Sequence, residues 1–252
     1  MNKLKMLVFD IETAPVLAYV WALKDQNVAV NQIHKDWYVI AWAAKWYGDP
    51  ASKVIYRDQR GAKNIEDDKA ILKDLWKLLD EADIVITQNG KNFDTPKLNA
   101  RFIMHGMKPP SPYQHLDTYQ IVRNAAKFTS NKLEYLTEKL CKKYKKLTHE
   151  KFPGFSLWAE CLKGNLKAWN EMRRYNKHDV LATEELYTKI RAWVPKNAPQ
   201  VYPVGKSYMQ CGVCGALGLM RAKGYTYTSV SRFRKYVCLG CGKWTNGPRE
   251  AL

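Results

Sequence analysis

Strand-like segments open this chain and helical segments follow, an order that limits the fold to a few architectures. Residues 6–13 form an apolar run with two carboxylates at alternate positions, and residues 39–46 and 53–57 are rich in aromatic and β-branched side chains, as strands usually are. Residues 67–82 carry apolar side chains at helical spacing, and residues 84–86 then resume as a short apolar strand. This order predicts an α/β sheet flanked by helices.

Further helices are predicted after the last of these strands. One should cover residues 95–105, and apolar side chains at helical spacing predict two more over residues 131–145 and 166–194. Three prolines between residues 195 and 203 then interrupt the pattern, as expected for a linker.

The length and charge of the chain indicate two parts. Its 252 residues suffice for one α/β core and a small appendage, so we predict a main domain at residues 1–195 and a module at residues 196–252. The whole chain has 41 Lys and Arg against 24 Asp and Glu, a net +17, and residues 196–252 hold nine basic residues against one acid, a net +8. This surplus favours nucleic acid as the partner, although a solvated lysine-rich surface gives a similar composition.

The composition also bears on location. With 46% hydrophobic and 26% charged residues, the chain has the profile of a soluble globular protein. Charged residues interrupt every apolar stretch before it reaches membrane-spanning length. The first apolar run meets Asp10 too early for a signal-peptide core. We expect a cytoplasmic protein without a membrane partner, of bacterial or viral origin among other sources.

Asp10 and Glu12 lie two positions apart in the first predicted strand. Alternate side chains of a strand share a face, so both carboxylates should point the same way. Adjacent carboxylates repel one another and raise each other's pKa unless a cation neutralises them, which makes a divalent metal a natural explanation. Taken alone, the pair favours the simpler alternative of a strand end that exposes two acids to water.

Two later segments carry further candidate side chains. Asp94 follows the strand at residues 84–86 and should sit at a strand-to-helix turn, where an acid can equally be a plain N-cap. Tyr175 and Asp179 are four residues apart on a predicted helix, which places them on one face. A phenol beside a metal-bound carboxylate can hold a water molecule. The alternative is an ordinary helix tyrosine with a surface acid.

In this order, the three segments resemble the motifs of the DEDD superfamily of 3′→5′ exonucleases. The first motif, Asp-x-Glu, is here Asp10-Ile11-Glu12. The second resembles the proofreading domain of family B DNA polymerases, whose Asn-x-x-Asn-Phe-Asp-x-Pro-x-Leu pattern matches residues 89–98. The third, Tyr-x-x-x-Asp, is that of the tyrosine subclass. The histidine subclass has a histidine five residues before the last acid, where this chain has Arg174, so His178 is interpreted as a flanking residue.

The resemblance covers residues 5–190 and implies a ribonuclease H-like fold, a mixed sheet flanked by helices. It implies two Mg²⁺ or Mn²⁺ ions, about 4 Å apart, that stabilise the attacking and leaving oxygens of an in-line displacement at phosphorus. It further implies cleavage from a 3′ end with release of mononucleotides, and a Tyr175 that orients the attacking water. The implied metal ligands are Asp10, Glu12, Asp94 and Asp179.

Substrate contacts are less sharply defined. Asn89 and Asn92 are expected to contact the terminal nucleotide or to brace their loop, and Thr13 to approach it through its backbone. Tyr19, Trp21 and Trp37 match no motif, and burial in the core is the favoured interpretation over stacking on unpaired bases.

Four of the six cysteines form two Cys-x-x-Cys pairs. Each pair is followed by glycine, and 23 residues separate the pairs, a pattern that predicts a Cys₄ zinc ribbon with one structural Zn²⁺. Metal binding should supply much of the folding free energy of so small a module. A thioredoxin-like redox pair is the alternative, and the doubling of the pairs argues against it. The predicted zinc ligands are Cys211, Cys214, Cys238 and Cys241.

Basic and aromatic residues alternate between the two cysteine pairs. Arg232, Arg234 and Lys235 are the predicted substrate contacts, on a surface that holds the backbone and stacks bases. The alternative is a ribbon core with a solvated cationic face.

These interpretations combine into one expected activity. We expect a 3′→5′ exonuclease that hydrolyses DNA, with single strands preferred, while the zinc ribbon helps to hold the substrate. An exoribonuclease could use the same carboxylates, and a catalytically silent nucleic-acid-binding protein is a third possibility, against which the complete set of carboxylates argues. Replication or repair proteins are further candidate partners.

Overall fold

The computed structural model describes residues 4–25, 27–145, 147, 151–195 and 210–251. In chain order the strands are β1 (Met6–Thr13), β2 (Leu17–Ala18), β3 (Ile33–Lys35), β4 (Val39–Trp46), β5 (Ile55–Asp58), β6 (Ile84–Thr87), β7 (Gln114–Asp117), β8 (Met220–Tyr227), β9 (Ser231–Cys238) and β10 (Trp244–Ala251). The α-helices are α1 (Lys69–Glu81), α2 (Asp94–Met104), α3 (Thr118–Ala125), α4 (Leu133–Leu140), α5 (Ser156–Leu162) and α6 (Leu166–Ile190). Short 3₁₀ turns occupy Val30–Gln32, Ala51–Lys53 and Arg191–Trp193.

A five-stranded mixed sheet in the order β5-β4-β1-β6-β7 forms the centre of the larger part of the chain. Strand β1 pairs antiparallel with β4 and parallel with β6, and β6 pairs parallel with β7. Both β1 and β4 are buried along nearly their whole length because helices cover both faces, which suits their continuous apolar sequences. The carboxyl ends of β1, β6 and β7 therefore meet at one edge of the sheet.

The two faces of β1 belong to different cores. Leu7, Phe9 and Ile11 pack in a cluster with buried residues of α1 and α2. Met6 and Val8 pack on the other face with residues of α3, α4 and α6. By the alternation of a strand, Asp10 and Glu12 share the face of Met6 and Val8. Asp10 contacts α6 and Glu12 contacts α5.

Several predicted boundaries differ from the observed ones. The helix predicted over residues 131–145 ends at Leu140, because the carboxylate of Glu185 accepts the backbone N–H groups of Lys142 at 2.8 Å and Tyr144 at 2.7 Å and holds that segment out of the helix. The strand predicted at residues 53–57 lies at Ile55–Asp58, after a 3₁₀ turn. Strand β7 and helices α3 and α5 were not predicted from the sequence.

The segment between β1 and β4 leaves the sheet and forms a small β2–β3 ribbon. Tyr19 is 70% exposed and Trp21 is 98% exposed, so the predicted burial of these two aromatics was wrong. The reason is that no other layer of the described residues covers these two side chains. Trp37 is partly buried and lies under the ammonium of Lys97, 3.7 Å from the ring centroid.

A separate three-stranded antiparallel sheet, β10-β9-β8, occupies residues 220–251. Lys243 Nζ donates a hydrogen bond to the carbonyl of Val194, just beyond α6. Most of the predicted linker, including Pro199 and Pro203, falls outside the described residues. No helix within the described ranges combines the length and apolar character needed to cross a membrane.

Candidate active site

Asp94 and strand β1 come together at the carboxyl edge of the sheet. The backbone N–H of Ile11 donates to Asp94 Oδ1 at 3.0 Å, across 83 residues of sequence. Asp94 begins α2, directly after the loop that follows β6, and its side chain is 3% exposed. The contact places Asp94 between the positions of Asp10 and Glu12 on the strand.

The environment of Asp94 disfavours an isolated charge. Burial raises the pKa of its carboxyl group to about 7, while the N–H of Ile11 acts in the opposite direction and the charge of Asp117 adds to the rise. A nearby cation would stabilise the ionised form. A buried carboxylate of this kind, beside other acids, fits a hard divalent ion with oxygen ligands.

Asp10 and Asp179 line the same cleft, which has a volume of about 300 Å³. Asp179 lies on α6 and is 4% exposed, so α6 brings it to the edge where β1 ends. Helix α6 also contributes Asn176, whose Nδ2 donates to Asp10 Oδ2 at 2.6 Å. Asn176 Oδ1 is buried without a hydrogen-bond partner among the described residues, and an amide oxygen is a further ligand type for a hard cation.

Glu12 and Tyr175 are connected through a tryptophan. Trp158, on α5, donates its indole N–H to Glu12 Oε2 at 3.1 Å. The Trp158 and Tyr175 rings meet edge to face, with centroids 6.2 Å apart. Tyr175 is buried at 7% exposure, so its ring is held on the side of β1 that carries Glu12.

The loop before α2 is fixed by Asp117 at the end of β7. Asp117 Oδ1 accepts the N–H of Asn89 at 2.9 Å, and Oδ2 accepts the N–H of Lys91 at 3.0 Å. The same carboxylate caps α3. Asn92 Nδ2 donates to Asn89 Oδ1 at 3.1 Å, which is a bracing contact, while Asn89 also lines the cleft.

Most of the cleft lining was not predicted from the sequence. It includes Gln88, Tyr119, Asn131, Lys132, Leu133 and Glu134. Gln88 Nε2 donates to the carbonyl of Asn131 at 2.9 Å, which connects the loop after β6 to the start of α4. Lys132 adds a basic residue, and Glu134 an acidic one, to the lining.

Thr13 and His178 do not line the cleft. Thr13 ends β1 opposite Val39 and is absent from the residues that line the cleft. His178 Nε2 forms a hydrogen bond with the carbonyl of Lys145, a contact outside the cleft.

The sulfurs of Cys211, Cys214, Cys238 and Cys241 lie within 4.8 Å of one another. Cys211 Sγ is 3.8 Å from Cys241 Sγ, and Cys214 Sγ is 3.7 Å from Cys238 Sγ. Within the described part of the chain, this is the one group of three or more His, Cys, Asp or Glu side chains gathered so closely. Among the described residues, Asp10, Glu12, Asp94 and Asp179 do not form such a close group, and of these four Asp10 and Asp179 line the cleft. The cysteine arrangement fits a tetrahedral metal site, as zinc ribbons have.

A mixed sheet covered by helices, with acids at the carboxyl end of its central strand, defines a ribonuclease H-like α/β protein. A model of the RNase_H superfamily matches residues 7–191, and the chain belongs to that superfamily. The predicted fold class is thereby confirmed, and the chain is assigned to a nuclease superfamily.

Among solved structures, the chain is similar to the family B DNA polymerase from the hyperthermophilic archaeon Pyrobaculum calidifontis, with 13% identity and a TM-score of 0.49. The match covers 91% of this chain and 32% of the polymerase chain, so this chain spans about a third of the polymerase's length. A comparison with curated proteins finds no match.

Proposed function

We propose that the chain is a metal-dependent 3′→5′ exonuclease of the tyrosine DEDD subclass that acts on DNA, with single strands preferred. The contact between Ile11 N–H and Asp94 Oδ1 is the observation that carries the proposal. It joins two motifs that are far apart in sequence, and Asp10 of the first motif lines one cleft together with Asp179 of the third.

Asp10, Glu12, Asp94 and Asp179 are the residues that would hold divalent ions. When bound, a pair of such ions stabilises the attacking and leaving oxygens at phosphorus. The protein groups have separate tasks. Asn176 orients Asp10 and Trp158 orients Glu12, and Tyr175 orients the water that attacks. Lys132, which lines the same cleft, contributes a positive charge for the phosphates of the strand.

The choice of DNA rests on the resemblance of residues 89–98 to the second motif of family B proofreading domains. An RNA substrate would use the same acids, so both polymers belong in the test. The zinc ribbon enters the proposal as a module that holds one structural Zn²⁺ through its four cysteines and helps to retain the strand.

The test uses the full chain with 5′-labelled single-stranded DNA, the matching RNA and a duplex, each with Mg²⁺, Mn²⁺ or no divalent ion. We expect a ladder of products shortened one nucleotide at a time from the 3′ end of DNA, and none without the ion. Asp10→Ala should lose turnover and retain DNA binding. Asp74→Ala, which removes an exposed acid paired with Arg57, is the matched control and should retain activity.

Internal cuts, shortening from the 5′ end, or full activity of Asp10→Ala would contradict the proposal. Faster loss of RNA than of DNA would reassign the substrate. DNA binding without any metal-dependent loss of nucleotides would make the chain a catalytically silent binding protein.

A further inference from the structure

Strands β8 and β9 place two tyrosines and two arginines on one face of the ribbon sheet. Tyr225 is directly opposite Arg234, and Tyr227 is directly opposite Arg232. Directly opposite residues of an antiparallel pair project to the same side of the sheet. These four residues, Tyr225, Tyr227, Arg232 and Arg234, form what we name the Tyr–Arg face.

The side chains of the Tyr–Arg face are in mutual contact. The guanidinium carbons of Arg232 and Arg234 lie 5.0 Å and 5.4 Å from the ring centroid of Tyr225. Arg234 Nη2 donates to the Tyr225 hydroxyl at 3.0 Å, and the two tyrosine rings are 6.4 Å apart. The cations are therefore held beside the rings, in positions set by the sheet.

The face is open to solvent at the end of the hairpin away from the cysteines. Tyr227 is 63% exposed, both arginines are exposed and Tyr225 is partly exposed. At the other end, Met220 and Cys238 are buried in the cysteine cluster. The metal site thus supports one end of the hairpin, and the aromatic and cationic groups occupy the free end.

The other side of the sheet has a different character. Alternation along β9 puts Lys235 on the side opposite to Arg234, where its ammonium lies 5.8 Å from the ring centroid of Trp244. Arg221 is directly opposite Val237, which puts it on the same side as Lys235. The three basic residues predicted as one substrate surface, Arg232, Arg234 and Lys235, are therefore divided between two faces.

We propose that the Tyr–Arg face binds single-stranded nucleic acid, with bases stacked on Tyr225 and Tyr227 and phosphates held by Arg232 and Arg234. Tyrosine rings stack on any unpaired base, and this stacking is tolerant of sequence. A guanidinium presents a planar fork of donors that matches phosphate oxygens. A duplex keeps its bases stacked inside and offers the rings nothing comparable. The proposal deepens the proposed function by naming the surface that retains the strand, although binding itself does not require cleavage.

The test measures binding of a 5′-fluorescein-labelled dT₂₀ strand by fluorescence anisotropy. It uses the zinc-loaded full chain without Mg²⁺, Mn²⁺ or chelator, across a series of salt concentrations. Tyr227→Leu should weaken binding about tenfold, in the range known for stacking on one base. Tyr227→Trp keeps an aromatic ring and should bind like the unchanged chain.

Two double variants each remove two positive charges, one pair from each side of the sheet. Arg232→Gln with Arg234→Gln should weaken binding and make the negative slope of log K against log salt shallower by about 1.4, since each single-strand phosphate contact contributes about 0.7 to its magnitude. Arg221→Gln with Lys235→Gln removes the same charge from the other side. This control should change the affinity by no more than about twofold and the slope very little.

Equal weakening by the two double variants, an unchanged affinity of Tyr227→Leu, or an equal loss of duplex binding would overturn the proposal. Zinc content and circular dichroism of each variant establish that the ribbon is folded. The proposed exonuclease can fail on its own: a chain that releases no nucleotides and still shows this pattern of binding supports the Tyr–Arg face and removes the nuclease assignment.

Discussion

Asn176 donates its side-chain N–H to the carboxylate of Asp10 at 2.6 Å and to the Asp10 carbonyl at 3.3 Å. The two contacts join α6 to β1 at the point where the cleft opens. Asn176 is fully buried, so the amide has no solvent alternative. These contacts restrict the orientation of the Asp10 carboxylate.

Asn176→Ala should therefore lower turnover by about 10-fold to 100-fold, the usual loss when a residue that orients a metal ligand is removed. The concentration of Mg²⁺ needed for half-maximal activity should rise as well. Asn170→Ala is the control on the same helix, because Asn170 is exposed and contacts Arg60. If the Mg²⁺ requirement is unchanged while thermal stability falls, Asn176 has only a structural role.

Trp158→Phe tests the contact that orients Glu12. Phenylalanine keeps an aromatic ring against Tyr175 and removes the indole N–H that donates to Glu12. We expect kcat to fall about tenfold with little change in KM. Trp76→Phe removes an indole N–H that donates to the carbonyl of Lys108, away from the cleft, and serves as the control. Equal kcat values for the two variants would show that Trp158 does not orient Glu12.

Much of this architecture follows from local sequence. Strands β1 and β4 have the predicted bounds because their apolar runs are buried on both faces, and α6 differs from the prediction only in its last turn, which is 3₁₀. Asp10, Glu12 and Asp94 come to one edge because the parallel strands β1 and β6 end together, whereas Asp179 reaches the cleft through the docking of α6. Local patterning suffices for these elements.

The contacts that Asn176 makes with Asp10 and that Trp158 makes with Glu12 cannot be predicted from local sequence patterns. Asn176 and Asp10 are 166 residues apart, and Trp158 and Glu12 are 146 apart, so their pairing depends on how α5 and α6 dock. Lys235 is a different case. Its place beside Arg234 in β9 already implied opposite faces, by the two-residue period of a strand. The separation of Lys235 from Arg232 and Arg234 can therefore be predicted from the sequence alone.

We expect the stability of the folded chain to depend on pH because His115 is buried. Burial lowers the pKa of His115 to about 4, with the charge of Asp117 opposing the shift, and one ring nitrogen is 2.7 Å from Thr87 Oγ1. The unfolded chain has a His115 pKa of about 6.5. Between these values the unfolded chain binds more protons, so stability is complete above about pH 6.5 and is lost as the pH falls toward 4.

The expected contribution of His115 is a loss of about 2 kcal/mol in the free energy of unfolding between pH 7.5 and pH 5. Urea unfolding at the two pH values measures the total change for the chain. His115→Gln, which can still bond to Thr87, should show a pH-dependent loss smaller by about that amount. The same pH-dependent loss in both proteins would show that His115 is not held in its neutral form.

Cys211→Ser with Cys214→Ser tests the metal site of the ribbon. Two of the four sulfurs that lie within 4.8 Å of one another would be lost, and the remaining pair cannot complete a tetrahedral zinc site. We expect zinc content to fall from about one ion per chain to near zero and the ribbon sheet to unfold. The KM for single-stranded DNA should then rise about tenfold with kcat nearly unchanged, because the carboxylates belong to the other sheet.

The control is Cys141→Ala with Cys161→Ala, which removes two cysteines outside the cluster and should retain zinc. A zinc-free variant with an unchanged KM would show that the ribbon does not contribute to substrate binding.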